Sequence, residues 1–84
     1  MSGFAADVIG LIGSALFLAA FAYANFSPTF DKLWFNAVNL LGSALLLTSL
    51  AVHFNLAATV LETCWGLIAA AGLIGAIRKR RQPA

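Results

Sequence analysis

Charged side chains are nearly missing from this sequence. Only Asp7, Asp31 and Glu62 are acidic and five residues are basic, so 10% of the 84 residues carry charge, against about a quarter in a soluble domain. Hydrophobic residues make up 62%, and a chain this short leaves too much of its surface exposed to hide them from water. The shortage of charge therefore excludes a water-soluble domain and makes lipid the expected solvent. Cysteine is limited to Cys64, inside an apolar run, which excludes an intrachain disulfide. No Cys/His spacing resembles a metal site, and neither metal nor cofactor is expected.

The basic residues are placed unevenly. Four of the five, Arg78, Lys79, Arg80 and Arg81, sit together directly after the last apolar run. Such a cluster reads as a cytoplasmic topology anchor that also meets anionic headgroups, each charge contributing about 1 kcal/mol near them. It is not a stripe along which nucleic acid would bind, and no nucleic-acid partner is expected.

Three apolar segments are present. The first runs from about Val8 to Phe26 and ends at Asn25-Phe26-Ser27-Pro28, where Pro28 biases Ser27 out of helical geometry. Ala22-Tyr23-Ala24 has the small-x-small form of a signal-peptide cleavage site. No Lys or Arg precedes the apolar stretch, however, and Asp7 stands there instead, so a retained helix is expected. The second runs from about Leu33 to Val52 and opens with Trp34 and Phe35, whose rings suit a membrane interface. The third runs from about Asn55 to Ile77, followed by a basic tail over 78–84 that includes Gln82 and Pro83. In lipid every backbone N–H and C=O must be paired internally, so each segment is expected to be a helix. The expected architecture is a single all-α membrane domain of three helices. The link His53-Phe54-Asn55 is short enough to force the second and third into an antiparallel hairpin. Placing the C-terminus in the cytoplasm and the N-terminus outside puts all five Lys and Arg residues, Lys32 included, on the inner side. Asp7 and His53 are left outside.

Leu11-Ile12-Gly13-Ser14-Ala15-Leu16 is echoed by Leu40-Leu41-Gly42-Ser43-Ala44-Leu45. An inverted repeat of the transporter kind would produce such an echo. A limited residue alphabet produces it too, and is the preferred explanation. Either way both copies bring Gly and Ser near mid-membrane, where small residues let helices approach.

Glu62 stands out, because an ionisable side chain about 10 Å into a membrane helix is costly unless it is paired or functional. Thr59, Glu62, Thr63 and Gly66 follow i, i+3, i+4, i+7 spacing and form one polar and small stripe, which should face another helix. Counting depths places Glu62 near Gly13 and Ser14 of the first helix and Thr48 of the second. Nearer the cytoplasm, Asn36, Asn39 and Ser43 share one face of the second helix, with Tyr23 at similar depth and Gly72 leaving room beside them. Two roles fit these residues. In one, Glu62 is the proton- or cation-linked carboxylate of a polar pathway. In the other it bonds to neighbouring polar groups and holds the helices, or an oligomer, together. The second is favoured because interhelical polar contacts are common and contribute about 0.6 kcal/mol on average.

The remaining polar groups point to ordinary roles. A lone His53 in an outer turn is expected to be solvated, and Cys64 to behave as a small apolar side chain. Trp34 and Trp65 have faces that could stack a sugar; interfacial anchoring accounts better for Trp34, and both roles stay open for Trp65. No Ser/His/Asp or Cys/His set, carboxylate pair at one depth or phosphate-cradling glycine loop is present, so an enzyme is not expected.

Asn39-Leu40-Leu41-Gly42, then Ser49-Leu50, Asn55-Leu56, and Leu61-Glu62 followed by Trp65 together resemble an uncharacterised family of short bacterial integral membrane proteins. The resemblance covers the second helix and most of the third, and implies residence in the bacterial plasma membrane without implying an activity. A weaker, architectural likeness is to bacterial half-transporters of the sugar-transporting SWEET type, which have three helices, the same topology and a homodimeric transport unit. Their Pro-Gln signature is absent, since Thr29 follows Pro28.

Two functions follow as expectations. The first is a structural or accessory subunit, acting through helix–helix contacts with itself or a larger membrane protein. The alternative is a homo-oligomeric small-solute transporter or channel with Glu62, Asn39 and Trp65 along its path.

Overall fold

The computed structural model describes residues 1–81. Residues 82–84, which hold Gln82, Pro83 and the end of the expected tail, lie outside the described residues. The chain forms an all-α three-helix bundle of α1 (Gly3–Phe26), α2 (Lys32–Leu50) and α3 (Leu56–Arg81), each long and apolar enough to cross a membrane.

Local chemistry sets the helix ends. Ser2 caps α1 by accepting the Ala5 N–H at 3.1 Å, satisfying a donor that the first turn leaves free. This starts α1 at Gly3, ahead of the Val8 boundary suggested by hydropathy. At the other end Ser27 still donates its N–H to the Tyr23 carbonyl at 3.0 Å, and Pro28, with no N–H to give, follows. Asp31 caps α2 through Leu33 N–H at 3.0 Å. Asn55 caps α3 by accepting the Ala58 N–H at 3.0 Å. The apolar run ends at Ile77 but the helix continues beyond it: Arg78, Lys79, Arg80 and Arg81, expected as part of a basic tail, form the last turn of α3. Cations suit that position, since unpaired carbonyls give a helix C-terminus partial negative charge.

The helices pack as a chain of neighbours with α2 in the middle. α2 packs against both α1 and α3, whereas no Cα of α1 comes within 8 Å of one in α3. The body measures 49 × 23 × 20 Å, and its buried hydrophobic residues among those described are Ala6, Ala20 and Ala69. Large apolar side chains point outward instead, among them Leu11, Leu18, Phe21, Leu41, Leu67 and Ile68. This distribution would be costly in water and is compatible with lipid.

Small residues permit the α1–α2 contact. A Cβ on Gly13 would lie 2.9 Å from the Gly42 carbonyl oxygen, and one on Gly42 would lie 2.8 Å from the Phe17 ring. The two glycines of the sequence echo thus face each other, which is the close backbone approach that small residues allow.

Candidate functional site

Asn36, Asn39 and Ser43 are three and four residues apart, the spacing that brings helical side chains onto one face. Each meets α3. Nearest the α2–α3 turn, Ser43 is 1% exposed and donates its hydroxyl to the Glu62 backbone carbonyl at 2.8 Å, with the Glu62 Oε2 atom at 3.4 Å. A hydroxyl has one proton to give, so the carbonyl receives it and the carboxylate keeps a marginal contact. Gly66 makes room: a Cβ there would stand 3.1 Å from the Ser43 Oγ.

One turn further along, Asn39 is 4% exposed. It donates its amide to the Phe35 carbonyl at 2.9 Å and accepts the Trp65 indole N–H at 3.3 Å. Trp65 also reaches across the fold, its ring 6.2 Å from Phe17 of α1 at an interplanar angle of 58°. Phe17 in turn lies over Gly42, so this aromatic pair joins α1 and α3 although their backbones do not meet. Near the basic end Asn36 donates to the Lys32 carbonyl at 2.9 Å, and its amide fills the space that a Cβ on Gly72 would need, 2.7 Å away.

The α2–α3 seam is therefore a ladder of three polar rungs: Ser43 with Glu62 and Gly66, Asn39 with Trp65, and Asn36 with Gly72. Glu62 stands at its edge, half-buried. Thr59, one turn before Glu62, has a buried hydroxyl oxygen with no hydrogen-bond partner.

Other residues expected at this site lie elsewhere. Thr48 is exposed and donates back to its own helix at the Ala44 carbonyl, 2.8 Å away. Five residues beyond Ser43, it is turned about 140° from the face that meets α3. Ser14 is exposed on α1, about 100° round from Gly13, which takes the packed position. Thr63 is likewise exposed, one residue round from Glu62. Depth counting points Thr48 and Ser14 toward Glu62, and stripe spacing adds Thr63; the structure instead sets Ser43 against Glu62 and leaves all three exposed. Tyr23 also leaves the polar layer: its hydroxyl accepts the Asp31 N–H at 2.7 Å and fastens the α1–α2 loop, with its ring 5.9 Å from Phe30.

Two side-chain contacts at opposite ends were not anticipated. At one end His53 Nε2 lies 3.0 Å from the Asp7 carboxylate and 3.3 Å from the Gly3 carbonyl, tying the α2–α3 turn to the start of α1. At the other, Arg80 pairs with Asp31, tying the end of α3 to the α1–α2 loop. The sequence held a cue for both, because each contact unites a carboxylate with an imidazole or guanidinium side chain from segments that an antiparallel fold brings to the same end. All five Lys and Arg residues stand at the Asp31 end.

A family model for proteins of uncharacterised function matches residues 6–81. No curated protein and no solved structure matches the chain.

Proposed function

The chain belongs to this uncharacterised family, and from that premise we propose that it is an integral membrane protein of the bacterial plasma membrane acting through helix–helix association, as a structural or accessory subunit. In this reading the N-terminus is outside and the basic end of the bundle is cytoplasmic, in accord with the segregation of Lys and Arg to one end. The partner is a second copy or a larger membrane protein.

The observation that carries the proposal is the incomplete pairing along one flank of α3. Glu62, only half-buried, keeps one marginal side-chain contact, and Thr63 is exposed beside it. In hydrocarbon such groups are costly until something pairs with them, and among the described residues no side chain of α1 hydrogen-bonds to them. A neighbouring helix from another protein would.

The same open layout argues against transport by one chain, since three helices with α1 and α3 apart enclose no continuous interior. The homo-oligomeric transporter or channel remains the alternative, and its likeness to SWEET-type half-transporters belongs to that reading. The weakly held Glu62 carboxylate favours it, because an ionisable group free of strong partners is able to exchange a proton or cation. Neither reading assigns the chain an enzymatic reaction.

A photo-crosslinking amino acid placed at Thr63 tests the proposal in native membranes, with Leu18 of α1 as the comparison site. Association through this flank predicts a discrete protein adduct from position 63 and lipid adducts from position 18. Lipid adducts alone from both positions would overturn it.

A further inference from the structure

An open groove of about 1000 Å³ lies at the basic end of the fold, at the top of the usual range of about 300–1,000 Å³ for small-molecule sites. Its mouth holds Lys32, Lys79 and the Asp31–Arg80 pair, and its apolar walls include Phe35, Ile68 and Ala76. Three cations against one carboxylate leave the mouth with a surplus of positive charge. Asp31 is already paired with Arg80, and no ion pair among the described residues engages Lys32 or Lys79. The floor is open at Gly75, where a Cβ would meet nothing within 4 Å. The two ends of the groove thus differ in chemistry: ammonium groups at the rim, then hydrocarbon running along α3 toward the bilayer interior.

We propose that this groove holds one anionic phospholipid, its phosphate between Lys32 and Lys79 and an acyl chain lying over Gly75 toward Ile68. Charge complementarity selects the occupant: an apolar helix would leave both ammonium groups unpaired, and a zwitterionic headgroup would bring its own cation to the mouth. Basic pockets between membrane helices recognise anionic headgroups on this physical basis. The Arg80–Asp31 pair acts as a brace that holds the end of α3 against the α1–α2 loop and so fixes the width of the mouth.

The inference rests on the chain being inserted in a membrane, which alkaline carbonate extraction checks separately; release of the chain by carbonate would remove that premise, whereas the lipid result bears on the groove alone. The test is native mass spectrometry of the full chain in mild detergent, titrated with phosphatidylglycerol, phosphatidylcholine or inorganic phosphate. One phosphatidylglycerol per chain is expected to be retained in preference to phosphatidylcholine. The Lys32→Gln/Lys79→Gln double variant should weaken retention roughly thirty-fold, from about fivefold per cation near an anionic group. Gly75→Leu, which fills open space and leaves every charge in place, should weaken it as well. Arg78→Gln/Arg81→Gln removes as much charge from outside the groove and should have a much smaller effect. Equal losses from the two double variants would mean diffuse attraction and overturn the site, as would unchanged retention in Gly75→Leu. Competition by inorganic phosphate as effective as the lipid would reduce the site to an anion hole and overturn the lipid assignment.

Discussion

Replacing Gly13 by alanine adds one methyl group where α1 and α2 come closest. The new Cβ would lie 2.9 Å from the Gly42 carbonyl oxygen, 3.0 Å from the Leu46 side chain and 3.2 Å from that of Leu45. Ordinary van der Waals contact begins at 3.4 Å, so the helices must separate by about half an ångström, and the nearest obstacle is backbone that cannot rotate away. Overpacking of this kind costs about 1–3 kcal/mol. Alanine also improves on glycine within a helix by up to about 1 kcal/mol, which masks part of the loss. Gly75→Ala supplies the control: the same exchange, also in a helix, into a position with nothing within 4 Å. Propensity then cancels in the comparison, and the two variants should differ by the packing term of about 1–3 kcal/mol. Reversible unfolding of the full chain in mixed micelles, followed by circular dichroism, reads this difference. Equal stability changes in the two variants would refute the close Gly13–Gly42 approach and with it the α1–α2 geometry.

The polar ladder gives further expectations. Ser43→Ala should lower stability by about 0.6 kcal/mol, the average for a hydrogen bond between membrane helices. Gly66→Ala should also destabilise by crowding the Ser43 hydroxyl, and the double variant should recover part of that loss, which a double-mutant cycle would detect. Trp65→Phe keeps an aromatic ring but removes the N–H given to Asn39 together with part of the indole's packing surface; a loss of about 1–2 kcal/mol is expected from the two effects together, and no change in unfolding would show that rung to be idle. Asp31→Asn preserves a capping oxygen but breaks the pair with Arg80; because that pair is partly exposed, the cost should stay below about 1 kcal/mol and shrink with salt, a trend that stability measured across ionic strength would check. Glu62→Gln should leave assembly unchanged if the side chain only joins helices. Proton-linked flux in proteoliposomes that is present in the native chain and abolished in this variant would favour the transporter instead.

Pro28, the short His53–Asn55 link and the three apolar runs made the helix count and the antiparallel order of α2 and α3 legible in the sequence. The shared face of Asn36, Asn39 and Ser43 was legible too, since it follows from helical spacing alone. Helix ends were less so. Ser2 extends α1 through one side-chain hydrogen bond that hydropathy does not register, and Arg78 to Arg81 remain helical because their charges suit a helix terminus. The partners of Glu62 were misjudged for two reasons. Counting depth puts Thr48 level with Glu62, whereas Ser43, five residues earlier on α2, is the residue that meets it, and depth says nothing of which way Thr48 and Ser14 point. The separation of α1 from α3 depends on side chains such as Phe17 and Trp65 filling the space between them, which no periodicity reveals.

The central functional claim is association, and native mass spectrometry of the chain released gently from its own membranes at native abundance tests it most directly. The account predicts a stoichiometric complex, either with a second copy or with a larger membrane protein, that weakens when Thr63 is replaced by a bulky residue such as tryptophan. A chain that leaves the membrane as a monomer carrying only lipid would contradict it.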